Sequence, residues 1–128
     1  MASHAKATSL RDVMSSPVVT ISHGSTVAEA ARVMRQGGVG AVVVTRAQAM
    51  AGIFTERDLV RAAAAGVEAS RSLVRAWMTS DPFSMPSSTS LDDALETLRS
   101  RQHRRLPVVD EGRLVGIVSL SDFVRAGV

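Results

Sequence analysis

The sequence has no cysteine and no tyrosine, and its aromatic side chains are Phe54, Trp77, Phe83 and Phe123 alone. Without cysteine there are no disulfides, no thiolate nucleophile and no cysteine-ligated metal, which suits a reducing compartment. So few aromatics leave little to stack on nucleic-acid bases, and a formal net charge of +3 is a modest arginine excess. Binding to DNA or RNA is therefore disfavoured. No stretch approaches the roughly 20 apolar residues that cross a bilayer, and Met1 to Leu10 has no long apolar segment of the secretory kind. A cytoplasmic protein with no membrane partner is expected. The histidines, His4, His23 and His103, stand apart without the paired spacing of metal motifs, so no metal site is expected. No local motif supplies a nucleophile, a base and an orienting group, and catalysis is not expected.

What the chain does have is a second copy of itself. A shift of 64 residues carries Asp58 onto Asp122, and with it Met14 onto Met78, Ala30 onto Ala94, Val44 onto Val108, Gly52-Ile53 onto Gly116-Ile117, and Val60-Arg61 onto Val124-Arg125. Conservative pairs fill the gaps, among them Val13 with Trp77, Thr26 with Ser90, Thr55 with Ser119 and Leu59 with Phe123. A unit this small buries too little apolar surface to be comfortably stable alone, so two copies packed face to face are expected. The copies divide at 1–66 and 67–128.

Within the first copy, Thr26-Val27-Ala28-Glu29 is a capping box, and Val27, Ala30, Ala31 and Met34 follow at helical spacing until Gly37-Gly38. In the second copy Ser90 caps, Asp93 takes the acidic position, and Leu91, Ala94, Leu95 and Leu98 form the buried stripe. Two β-rich runs follow each helix, 41–45 with 50–54 and 106–109 with 114–118. Asp110-Glu111-Gly112 suits a tight turn, whereas Arg46-Ala47-Gln48-Ala49 lacks a turn residue. A last helix in each copy, 55–65 and 119–126, is closed by Gly66 or Gly127. Ahead of each unit stand a short helix (Leu10, Val13, Met14; Val74, Trp77, Met78) and an extended apolar stretch (18–21; 83–85). The order per copy is α-β-α-β-β-α, an α/β (α+β) fold with small sheets flanked by helices.

This order, with Gly-Ile-Phe-Thr-Glu-Arg-Asp at 52–58 and Gly-Ile-Val-Ser-Leu-Ser-Asp at 116–122, resembles the CBS domain. Supporting motifs are Asp12-Val13-Met14 with Pro17, Trp77-Met78-Thr79 with Pro82, and Arg104-Arg105-Leu106-Pro107-Val108-Val109-Asp110. The resemblance covers almost the whole chain. It implies a pseudo-twofold pair of repeats, the Bateman module, which often pairs again into a homodimer. It also implies clefts between repeats that hold AMP, ADP or ATP, and in some members S-adenosylmethionine or NAD. Some members bind nothing detectable.

The motif Gly-hydrophobic-x-Thr/Ser-x-x-Asp joins a strand to a helix start, where unpaired N–H groups and the helix dipole favour an anion. Thr55 and Ser119 offer hydroxyls to phosphate, and an ionised Asp58 or Asp122 can accept from ribose hydroxyls, the role that the resemblance gives it. The same residues are also capping boxes, and a cap alone would explain them. Arg104 and Arg105 stand where the resemblance places phosphate-contacting residues, and arginine binds phosphate bidentately; the alternative is a solvated basic helix end. The first copy has Gly40 and Ala41 instead, so at most one high-affinity site per chain is expected, with its aspartate undecided. Thr20, in the stretch implied to line an adenine pocket, completes the candidates.

The expected function is a regulatory module that senses an adenosine-containing ligand, requires no cofactor, forms a homodimer and passes its signal to a separate effector protein. A ligand-free dimerisation or protein-interaction scaffold is the alternative. The glycine-alanine departure in the first copy favours it.

Overall fold

The structure, a computed structural model, describes residues 7–127. They form two compact units: Val19–Pro82, and the residues up to Val18 together with those from Phe83 onward. The packing units therefore cut across the repeats at 1–66 and 67–128. The short 3-10 helix Leu10–Asp12 belongs with the second repeat, and its counterpart Val74–Ala76 with the first. The cause lies in matched contacts. Ser15 bridges Ile117 while Thr79 pairs with Ile53, and Ser9 bridges Ser90 while Leu73 bridges Thr26. Met14 lies against Gly116 as Met78 lies against Gly52. Every one of these pairs maps onto the other by the 64-residue shift.

In the Val19–Pro82 unit, β1 (Thr20–Ser22) runs parallel to β2 (Ala41–Arg46). β2 is antiparallel to β3 (Ala49–Thr55), and β3 to β4 (Thr79–Ser80), giving the order β1-β2-β3-β4. The helix α1 (Val27–Gly37) begins where Thr26 Oγ1 accepts the Glu29 N–H at 3.1 Å and Glu29 accepts the Thr26 N–H at 2.9 Å. It ends at Gly38, whose φ of 62° suits a residue without Cβ. Its buried stripe, Val27, Ala30 and Met34, packs with Val42, Val44 and Phe54 of the sheet and Ala62 of α2 (Glu56–Ala64).

The second unit follows the same plan with α3 (Leu91–Ser100), β5 (Arg105–Asp110), β6 (Arg113–Ser119) and α4 (Leu120–Arg125). The extended stretch expected at 83–85 is reduced to one parallel bridge, Met85 to Val108. Proline explains the loss. In the first unit Val43 N–H donates to Val19 O at 3.0 Å, but Pro107 occupies the position of Val43 and has no N–H. The cores trade one aromatic ring: buried Phe54 corresponds to Val118, and buried Phe123 to the smaller Leu59, so bulk lost on a strand is regained on the following helix.

Both hairpins close with two-residue loops whose residues have positive φ: Ala47 (49°) and Gln48 (69°), Glu111 (49°) and Gly112 (78°). This is the requirement of a type I′ turn, which matches the twist of paired strands. Only the second turn has a glycine to meet it.

Candidate functional site

Each unit places its strand-to-helix junction at the end of a hairpin. At the β3–α2 junction the Thr55 N–H donates to Asp58 Oδ2 at 2.9 Å and the Thr55 hydroxyl donates to the same oxygen at 3.1 Å. The Asp58 N–H returns a bond to Thr55 Oγ1 at 3.3 Å, while Arg61 donates to Asp58 Oδ1 at 3.0 Å. At the β6–α4 junction, Asp122 Oδ2 accepts from the Ser119 N–H at 2.7 Å and the Ser119 hydroxyl at 3.2 Å, and Arg125 pairs with Oδ1. Both aspartates are 6% exposed. The capping role is thus realised, and each carboxylate keeps part of its lone-pair capacity on Oδ1.

The unpaired N–H groups invoked from the sequence are fewer than a bare helix start would offer. Glu56 N–H donates to Gly40 O and Leu120 N–H to Arg104 O, each at 3.0 Å. The second of these bonds ties the arginine pair to the junction. Arg104 precedes β5, Arg105 is its first residue, and Arg105 is the register partner of Ser119. Arg104, Arg105, Ser119 and Asp122 are therefore gathered at one place, with Arg104 exposed and Arg105 half-buried. The equivalent junction brings Thr55 and Asp58 together with Gly40 and Ala41, so it has no such cationic pair. Thr20 is exposed on β1, on the far side of β2 from β3, and takes no part in the Thr55–Asp58 bonds.

Sequence reasoning missed Arg61 and Arg125. Their signal was available: Asp-x-x-Arg occurs in both repeats, and an acid three residues before a base is a favourable helical pair. It also missed two stacked arginines. The Arg61 guanidinium lies 5.6 Å from the Trp77 ring centroid, and that of Arg101 lies 3.8 Å from Phe83, inside the range of cation–π attraction. Trp77 is itself fixed by its indole N–H, which donates to Ser72 Oγ at 3.1 Å.

A third polar cluster lies at the β5–β6 turn. The buried Ser87 donates its hydroxyl to Asp110 Oδ2 at 2.6 Å and its N–H to Oδ1 at 2.8 Å, and Arg11 donates to the Ser87 hydroxyl oxygen at 3.1 Å. The Ser87 hydroxyl and N–H, with the Arg11 charge as a smaller contribution, hold the Asp110 carboxyl below its ordinary range. Among the described residues no three His, Cys, Asp or Glu side chains gather as a metal site, and His4 lies outside those residues.

The CBS-domain family model matches residues 10–65 and 74–128, two copies that span nearly the whole chain. The chain belongs to the CBS-domain family. This CBS pair is 37% identical over 114 residues to the CBS domain-containing protein YhcV of Bacillus subtilis, covering 89% of this chain and 81% of that one. It is 30% identical over 120 residues to Hypoxic response protein 1 of Mycobacterium tuberculosis, covering 92% of this chain and 84% of the relative. Its fold matches a CBS-domain-containing protein from Agrobacterium tumefaciens with a TM-score of 0.88 at 33% identity, over 100% of this chain and 99% of the other. No helix among the described residues is long and apolar enough to cross a membrane.

Proposed function

We propose that this CBS pair is a regulatory module that binds an adenosine-containing ligand, with AMP, ADP or ATP ahead of S-adenosylmethionine and NAD. The carrying observation is the gathering of Arg104, Arg105, Ser119 and Asp122 at one strand-to-helix junction. Two guanidinium groups neutralise phosphate, the Ser119 hydroxyl donates to a phosphate oxygen, and Asp122 accepts from ribose. Thr55 and Asp58 supply the corresponding hydroxyl and carboxylate in the first repeat, and Thr20 an adenine contact. Ligand binding acts by differential affinity for two states of the module, which as a homodimer relays the change to an effector protein.

The test is isothermal titration with AMP, ADP, ATP, S-adenosylmethionine and NAD, after mass spectrometry has excluded a co-purified ligand. Saturable binding supports the sensor. A second reading, a ligand-free interaction scaffold, is favoured by one observation: both carboxyl oxygens of each aspartate already have partners, in their own junctions and in Arg61 or Arg125. Silence from all five ligands, with a stable dimer in solution, selects it.

A further inference from the structure

The two aspartates are equivalent in sequence, yet their arginine partners are held differently. Asp58 Oδ2 already accepts the Thr55 N–H and hydroxyl, so an incoming ribose hydroxyl must use Oδ1, where Arg61 donates at 3.0 Å. Arg61 has a second anchor. Its guanidinium stacks on Trp77, and Trp77 is half-buried against the first core and tethered to Ser72. In the other unit Arg125 pairs with Asp122 in the same i, i+3 manner, but Val13 stands where Trp77 would be. An aliphatic side chain has no π face, and the Arg125 side chain is 72% exposed against 57% for Arg61.

We infer that Arg61, braced by Trp77, is a specificity-determining lock that withholds Asp58 from ligand, so that the chain takes one nucleotide, through Asp122. The inference rests on the ligand-sensing reading above and deepens it by choosing between its two carboxylates. A tryptophan brace at a half-exposed arginine shifts the ratio of paired to released arginine by a factor of about 2 to 5. The pairing itself is common to both repeats, so the brace is the difference. The cationic pair Arg104-Arg105 lies on the same side of the asymmetry, since the locked junction has Gly40 and Ala41.

The experiment is calorimetric titration with AMP of the whole chain and of Asp122→Ala, Asp58→Ala and Asp122→Ala/Arg61→Ala, each checked for a native circular dichroism spectrum. The lock predicts one AMP per wild-type chain, loss in Asp122→Ala, and recovery of at least about tenfold in affinity when Arg61→Ala is added. The single variant Arg61→Ala should take two AMP per chain and lose the second when Asp58→Ala is combined with it. Binding lost in Asp58→Ala but retained in Asp122→Ala overturns the lock and leaves the sensor standing. A folded double variant that stays silent, or an Arg61→Ala chain that still takes one AMP, overturns it equally. A wild type that binds no AMP overturns it as well, by removing the nucleotide reading on which it rests.

Discussion

Gly52 and Gly116 are equivalent in sequence, but adding a methyl group to each should have different consequences. A Cβ on Gly52 would lie 2.5 Å from the Met78 sulfur and 2.6 Å from the Thr79 carbonyl oxygen. The methionine can swing away, but the oxygen belongs to β4, which pairs with β3 through Gly52 with Ser80 and Ile53 with Thr79. That backbone must retreat from 2.6 Å to the 3.4 Å of ordinary contact, and the pairing moves with it. A Cβ on Gly116 meets Met14 side-chain atoms as its nearest neighbours. Overpacking a buried site costs about 1 to 3 kcal/mol, and removing a glycine from the unfolded chain returns about 0.4 to 1 kcal/mol. Gly52→Ala should therefore lose about 1 to 2 kcal/mol, and Gly116→Ala about 0 to 1 kcal/mol. Urea denaturation of both variants measures the difference, read as a change in midpoint at constant slope. A Gly52→Ala protein as stable as Gly116→Ala would refute the close approach of the β4 backbone to Gly52 from which the difference is argued.

The strained first hairpin should respond to the residue that the second one has. Gln48→Gly removes a side chain at φ 69° and is expected to stabilise by about 1 kcal/mol, measured as a rise in the urea midpoint. Asp58→Ala should cost about 0.5 to 2 kcal/mol of stability through the lost cap, whatever its effect on ligand. Phe54→Ala and Phe123→Ala, each emptying the centre of one core, should each cost about 3 to 5 kcal/mol. The Asp110 carboxyl is held below its ordinary range when folded, so its contribution is complete above the unfolded value and is lost as pH falls through the folded one. A carboxyl NMR titration should find its midpoint low, and Ser87→Ala should bring it back toward the ordinary value.

The sequence reveals what is local or duplicated. Thr26 with Glu29 announces α1 by itself, because a capping box is a contact between neighbours, and the repeat doubles the evidence for each later element. Asp93, one methylene shorter than Glu29, still places Ser90 at a helix start, where Ser90 Oγ accepts the Asp93 N–H at 3.2 Å. The crossing of the upstream segments was not legible, since a periodic sequence specifies which segments are alike but not which copy each one packs against. The stretch at 83–85 read as a strand because its residues suit one. Its reduction to a bridge depends on a missing N–H more than twenty residues away, at Pro107.

At the site, residue types were legible, and their bonding was legible only where it is local. Asp58 and Asp122 were read as members of capping boxes, and the junction bonds have that form. That Arg61 and Arg125 take the remaining carboxylate oxygen follows from helix geometry and was readable in Asp-x-x-Arg. The brace of Arg61 by Trp77 was not readable, because it joins residues from two repeats that the packing unites in one unit. The proximity of Arg105 to Ser119 depended on strand register, which the hairpin turn fixes; with the turn type undetermined, the pairing was too.

The most direct test of the nucleotide site is an amide-detected NMR titration of the wild-type chain with AMP. Saturable shifts should concentrate at Arg104, Arg105, Ser119 and Asp122. An unchanged spectrum at saturating AMP, or shifts that avoid the β6–α4 junction, would contradict it.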